Sequence, residues 1–203
     1  MPGGGPGRGA GARLAVPERI RYAVGGLSLH PDSRVLEVGG GNGVAAALML
    51  PVLGAGAGFL LGIDRSPTAT AAASARNADA VRAGTAVFVT AELPDLDPAA
   101  HGRFDRVLGV NVNVFWTESA ARELAVLERV LDADGELHLV HQPPSVARRT
   151  PVLAALVANL ERAGWRADVD VPDGEPPLLR VVARPPGEVS EWPVGGWTRG
   201  GRR

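Results

Sequence analysis

The run Val35-Leu-Glu-Val-Gly-Gly-Gly-Asn-Gly43 constrains the fold more than any other part of this chain. A short β-forming stretch carries an acid, Glu37, near its end, glycines follow at 39, 41 and 43, and Val44 opens an apolar helical stretch. Glycine enters backbone conformations closed to residues with a Cβ and lets a ligand approach the main chain closely. A strand that passes through such a loop into a helix is half of a βαβ unit, and parallel strands need crossovers of that kind. Glycine is abundant here, at 27 residues, so the argument rests on its spacing after a strand and not on its presence.

The remaining pattern extends the alternation. Pro17 suits a first helical turn, where its missing N–H costs nothing, and Gly25-Gly26 ends that helix near Val24. Arg34 to Val38 reads as a buried strand, Val44 to Leu53 as a helix, and Phe59 to Ile63 as a second strand ending at Asp64. Ser66-Pro67 is a cap and first-turn proline for an Ala-rich helix to about Ala83, closed by Gly84. Ala86 to Val89 and Phe104 to Val110 are the next strands. Thr117 is read as the start of a helix whose Ala120, Leu124, Leu127 and Val130 share a face, with Glu118 and Arg122 spaced to pair outside. Asp134-Gly135 turns into a fifth strand, Leu137 to His141, and a helix running from Pro151 to Gly164 follows. The last runs, Ala167 to Val171 and Leu178 to Ala183, are joined too closely for a helix and predict an antiparallel hairpin. The expected fold is a Rossmann-like α/β sheet of about seven strands, mostly parallel, with one antiparallel strand from the hairpin. Helices cover both faces, and a binding crevice opens at the strands' C-terminal ends.

Composition sets the bounds. A length of 203 residues with 45% hydrophobic content supports one domain with a core. We assign it to residues 14–184, between flexible Gly/Pro/Arg-rich tails at 1–13 and 185–203. Trp192 and Trp197 in the second tail are candidates to fold back on the domain. A net charge of −1 argues against nucleic acid as a partner. With no cysteine there is no disulfide framework, thiolate metal site or cysteine nucleophile, and no His-rich motif offers a metal centre. The uncharged stretch from Val38 to Ile63 is long enough to span a bilayer, but its glycines, Pro51 and acidic flanks fit a strand, loop, helix and strand better. The expectation is a cytoplasmic protein without a membrane segment. Oligomeric state is not legible.

Acids gather at the expected crevice. Asp64 ends the second strand, where a carboxylate can accept from two ribose hydroxyls, and Glu92 follows the third. Glu37 would repel a pyrophosphate, and counting from Gly39 the third glycine of a dinucleotide fingerprint would fall on Val44. Three acids and no base in the loop describe a nucleoside ligand that lacks phosphates and carries positive charge.

On these residues the chain resembles the class I S-adenosylmethionine-dependent methyltransferases. The likeness runs from about residue 16 to 184 and includes the E-x-G-x-G-x-G loop (37–43), Gly-Ile-Asp-Arg-Ser-Pro (62–67), Ala-Glu-Leu-Pro (91–94) and Phe104-Asp-Arg-Val-Leu108. Arg129-Val-Leu-Asp-Ala-Asp-Gly135 matches the family's R-x-L-x-P-G-G turn, with Ala133 and Asp134 in place of Pro-Gly. The resemblance implies S-adenosylmethionine as cofactor. It implies that Glu37 and the loop amides of Gly39, Gly40, Gly41, Asn42 and Gly43 hold the methionine moiety, and that Asp64 takes the ribose diol. Arg65 and Leu93 would flank the adenine, Glu92 would sit near its amine, and Asn111 would line the methionine side.

Methyl transfer needs alignment more than acid–base chemistry, so catalytic residues leave weak traces. Two candidates stand at the rim. Asn113 belongs to Asn111-Val-Asn-Val-Phe-Trp116, where strand alternation would put Asn111 and Asn113 on one side and leave Phe115 to wall an acceptor pocket. His141 ends the fifth strand and is a candidate base, while also readable as a packed ring; His138 faces the other way. The Asn/Asp-Pro-Pro-aromatic motif of amine-methylating relatives lacks its prolines here, so nucleic-acid-base methylation is not supported; the expected acceptor is a small molecule. Two rivals remain: an NAD(P)-dependent oxidoreductase, disfavoured by Val44, Glu37 and the absence of a Tyr-x-x-x-Lys pair, and a non-catalytic cofactor-binding module.

Overall fold

The computed structural model describes residues 15–97 and 99–187. Of the tails assigned to 1–13 and 185–203, residues 1–13 and 188–203, with Trp192 and Trp197, lie outside them. Along the chain the elements are α1 (Glu18–Gly25), β1 (Arg34–Val38), α2 (Val44–Leu53), β2 (Phe59–Asp64), α3 (Pro67–Arg76), α4 (Ala78–Arg82), β3 (Ala86–Thr90), β4 (Phe104–Val110), α5 (Val114–Thr117), α6 (Ala121–Val130), β5 (Leu131–His141), α7 (Val146–Arg162), β6 (Arg166–Asp170) and β7 (Leu179–Arg184). A 3-10 turn, Leu93–Asp95, follows β3. The strands form one sheet in the order β3-β2-β1-β4-β5-β7-β6. β1 to β5 run parallel, and β7 lies antiparallel to both β5 and β6.

Strand order reverses between β1, which leads outward to β2 and β3, and β4, which leads to β5. The crossovers on the two sides leave the sheet in opposite directions, and a crevice opens above the C-terminal ends of β1 and β4. Alternation sorts the core into two layers. Val35, Leu60, Leu108 and Val140 face α1 and α2, packing with Leu27, Met49 and Leu53. Leu36, Leu61, Val107 and Leu139 face α6 and α7, packing with Leu124, Leu127 and Leu156. Both faces of the central strands are covered, which is why these strands read as continuous apolar runs. Among the described residues no helix is long and apolar enough to cross a membrane.

Four local expectations are corrected. The helix expected to reach Ala83 breaks at Asn77, whose Nδ2 donates to the carbonyls of Gly43 (3.2 Å) and Ala73 (2.9 Å). The helix expected from Thr117 begins at Ala121; Val114–Thr117 is a separate turn, and Glu118 is extended, so it is not one helical turn from Arg122. The fifth strand begins at Leu131 with a bulge, its register on β4 jumping from Phe104↔Leu131 to Arg106↔Glu136. Gly135 is required there, since a Cβ would stand 2.9 Å from the Asp132 carbonyl oxygen. Finally, α7 starts at Val146 and carries Pro151 inside it.

Candidate active site

The glycine loop leaves β1 and turns into α2 through three positive φ angles, +65° at Gly39, +54° at Gly41 and +73° at Gly43. Its amides are turned inward. Gly39 and Gly40 donate to the Ile63 carbonyl at 2.8 and 3.2 Å, and Gly43 donates to the Gly40 carbonyl at 3.0 Å. Gly41 donates to Asp64 Oδ2 at 2.9 Å, while Asp64 Oδ1 accepts from the Ser66 amide at 2.9 Å. One carboxylate therefore ties the loop to the start of α3, where Ser66 Oγ accepts from Ala69 at 3.3 Å as the helix cap. Gly43 serves packing: a Cβ there would meet the Ala73 Cα at 2.9 Å. Four of the five expected amides are engaged internally, and the carbonyls of Gly40, Asn42 and Gly43 accept from the Gly43 amide, from Arg76 Nε at 2.8 Å and from the Ala47 amide at 3.1 Å, so the loop is fixed by its own bonds before a ligand arrives.

Glu37 stands beneath this loop with only 4% of its surface exposed. Its Oε2 has no hydrogen-bond partner, and a Cβ on Gly40 would lie 3.0 Å from it. Burial, reinforced by the negative field of Asp64 and opposed by the Ala46 amide, pushes its pKa up to about 8. A buried carboxyl with an unused oxygen, on a residue that lines a cavity, is a vacant acceptor for a cation or a donor.

Two cavities meet over Gly39, Val110 and Asn111. The first, about 560 Å³, is lined by Glu37, Gly40, Gly41 and Asn42 together with Arg19, Ile20 and Arg76, whose Nε donates to the Asn42 carbonyl at 2.8 Å. The second, about 630 Å³, is bounded by Asp64, Arg65, Glu92 and Leu93 on one wall, and by Asn113, Thr117, Glu118 and Arg122 on the opposite one. Thus Glu37, Gly39, Gly40, Gly41, Asn42, Asp64, Arg65, Glu92, Leu93, Asn111 and Asn113 all border one continuous crevice, whereas Gly43 and His141 line neither cavity.

Asn111 is left-handed, at φ +56°, which ends β4. Its amide donates to the Val140 carbonyl at 2.8 Å and its Oδ1 accepts from the Gln142 amide at 2.9 Å, so it joins the ends of β4 and β5. Because the strand stops there, the expected alternation through Asn113 does not occur. Asn113 opens α5: its carbonyl accepts from Trp116 and Thr117 at 3.0 and 2.9 Å, and its Oδ1 from Trp116 Nε1 at 3.3 Å. Phe115 points into the core at 2% exposure and lines neither cavity. His141 is 3% exposed, and burial lowers its pKa to about 4. His138 lies 3.0 Å from Glu136, also buried. Among the described residues no cluster of His, Asp and Glu could hold a metal ion. Arg19, Ile20 and Arg76, which the sequence reading does not reach, enter the crevice because α1 and α3 dock beside α2.

A family model described as a methyltransferase domain matches residues 35–135, about half of the chain. The domain is of the class I S-adenosylmethionine-dependent methyltransferase family. Its matched span covers β1 to the bulge of β5, and so the loop, Asp64, Glu92 and Asn111. No curated protein matches in sequence. Solved structures share the fold. Precorrin-6y C5,15-methyltransferase from Geobacter metallireducens is 15% identical with a TM-score of 0.65, over 86% of this chain and 92% of that one. Mitomycin 7-O-methyltransferase is 16% identical with a TM-score of 0.64, over 82% of this chain but 53% of that one, so this chain spans about half its length. A methyltransferase from Geobacter sulfurreducens in complex with S-adenosylhomocysteine is 22% identical with a TM-score of 0.55, over 77% and 67%. S-adenosylmethionine is the cofactor of the methyltransferase domain.

Proposed function

We propose that this methyltransferase moves the methyl group of S-adenosylmethionine to a small-molecule acceptor by in-line displacement. The observation that carries the reading is the buried, unpartnered oxygen of Glu37, a residue lining a cavity that shares Gly39, Val110 and Asn111 with the cavity lined by Asp64. In this reading the cofactor's ammonium lies against Glu37, beside the glycine loop. The ribose diol lies on Asp64, each oxygen of which keeps a lone pair beyond its bond to Gly41 or Ser66. Leu93 and Arg65 border the adenine, Glu92 its amine, and Asn111 stands where the two cavities join.

When bound, the cofactor supplies a methyl group already activated on a sulfonium sulfur. The acceptor's lone pair forms the new bond to carbon as the carbon–sulfur pair leaves on sulfur, and the chain's contribution is alignment, worth up to about 7–11 kcal/mol in favourable cases. Asn113 stands with Thr117, Glu118 and Arg122 among the polar side chains on the acceptor-facing wall able to orient a donor or acceptor group. His141 is too deeply packed to reach an incoming molecule without a change at the rim.

Calorimetry with S-adenosylmethionine, S-adenosylhomocysteine and NADH tests the cofactor: both adenosyl ligands should bind and NADH should not. Binding of NADH alone would sink the reading. A turnover screen across phenolic, amine and carboxylate acceptors then separates an enzyme from a binding module; turnover on none of them would favour the module.

A further inference from the structure

The crevice wall opposite Asp64 is built from backbone that neither strand holds. β4 stops at Val110, and residues 112–118 carry Val112, Asn113, Val114, Thr117 and Glu118 along the second cavity. α5, with four residues, is too short to bond its own last carbonyls, since the final turn of any helix leaves them without intrahelical donors. The donor comes from another element. Asn159 on α7, 8% exposed, donates through Nδ2 to the Phe115 carbonyl at 3.0 Å and to the Glu118 carbonyl. Its Oδ1 accepts from Arg162 Nη1 at 2.7 Å, which fixes the amide with its nitrogen toward the wall. Asn159 itself lines neither cavity.

We propose that Asn159 is a positioning residue: from α7 it suspends the 113–118 wall at the distance from Asp64 and Leu93 that the crevice needs. Packing alone does not explain it. Leu156 and Leu160 already anchor α7 in the core, and a third apolar residue would continue that face. An asparagine in that place costs burial of an amide unless its hydrogen bonds are made, and here both carbonyls it satisfies belong to the wall. Asparagine is also specific, because an aspartate of the same shape has no N–H and would set its charge against two carbonyl oxygens.

The test compares Asn159→Asp and Asn159→Ala with Val152→Ala, a core truncation two turns earlier on α7 that touches none of these carbonyls. Amide hydrogen exchange needs no ligand. The Asn159 variants should speed exchange at residues 114–118 at least tenfold while leaving 34–64 unchanged. The second readout, which rests on the proposed function, is S-adenosylhomocysteine affinity at a temperature where circular dichroism shows every variant folded. Asn159→Asp should bind about tenfold more weakly, the loss of roughly one hydrogen bond of positioning. Val152→Ala should bind within about twofold of the parent despite its lower Tm. Unchanged exchange at 114–118, uniform acceleration across the chain, or equal weakening by Val152→Ala would overturn the proposal. A parent protein that bound no S-adenosylhomocysteine would defeat the proposed function instead, and exchange alone would then decide the role of Asn159.

Discussion

Replacing Glu37 with glutamine keeps the shape of the buried side chain and removes its titration. In the free protein its pKa stands near 8 against an ordinary 4.5, raised first by burial and then by Asp64. A carboxyl whose folded pKa exceeds its unfolded one holds its proton more tightly when folded. Its stabilising contribution is therefore full below about 4.5 and is lost as pH rises to about 8. At about 1.4 kcal/mol per unit, the span amounts to roughly 4–5 kcal/mol of stability missing at pH 9 relative to pH 4.5. Glu37→Gln should match the parent near pH 4.5 and exceed it by several kcal/mol near pH 9 in urea denaturation. The same carboxyl must ionise to face a cation. With its pKa raised above neutrality Glu37 is mostly protonated at pH 7, so binding S-adenosylhomocysteine should release protons, read from calorimetry in buffers of different ionisation enthalpy. Glu37→Gln should bind more weakly and release none. Parallel pH–stability curves for the two proteins, together with a buffer-independent binding enthalpy, would refute the reasoning.

Three further outcomes follow from the geometry. Asp64→Ala should weaken S-adenosylhomocysteine binding by about 1–3 kcal/mol in calorimetry and also lower Tm, because the same oxygens hold the Gly41 and Ser66 amides; an unchanged affinity in a folded variant would remove the diol assignment. Gly43→Ala should cost about 1–3 kcal/mol in urea denaturation, since φ is +73° and the new Cβ would meet Ala73 at 2.9 Å. Glu136, held down to about 2 by His138, Arg184 and Arg106, contributes stability that is full above its ordinary 4.5 and fades as pH falls through 2. Glu136→Gln should thus lower stability at pH 7 by about 2 kcal/mol and flatten the acid limb of the pH–stability curve.

The elements with strong local signals are where sequence and structure agree. β1, α2 and β4 occur at the expected bounds, and Ser66-Pro67 caps α3 as its spacing predicts. Agreement weakens where a boundary depends on a distant partner. Asn77 breaks a helix by bonding the glycine loop, and Asn159 ends α5 from a helix more than forty residues on. Neither asparagine differs, in the sequence, from an ordinary solvent-facing amide. At the candidate site, the placement of Glu37, Gly39, Gly41 and Asp64 along the crevice was legible because acid and glycine positions follow strand ends, which periodicity locates. Phe115 was not, since its direction depends on β4 stopping at Asn111 rather than running on.

Local propensity and hydrophobic period act over a few residues, and that range suffices for the alternation of strands and helices, the parallel sheet and the acids at its crevice. The number of a residue's neighbours from elsewhere in the chain is set only when the layers pack. Docking turned the loop amides of Gly39, Gly40 and Gly41 inward, left one oxygen of Glu37 without a partner, buried His141 away from the crevice and brought Arg19 and Arg76 to it. These outcomes depend on desolvation and contact across long sequence separations, which no short window of residues encodes.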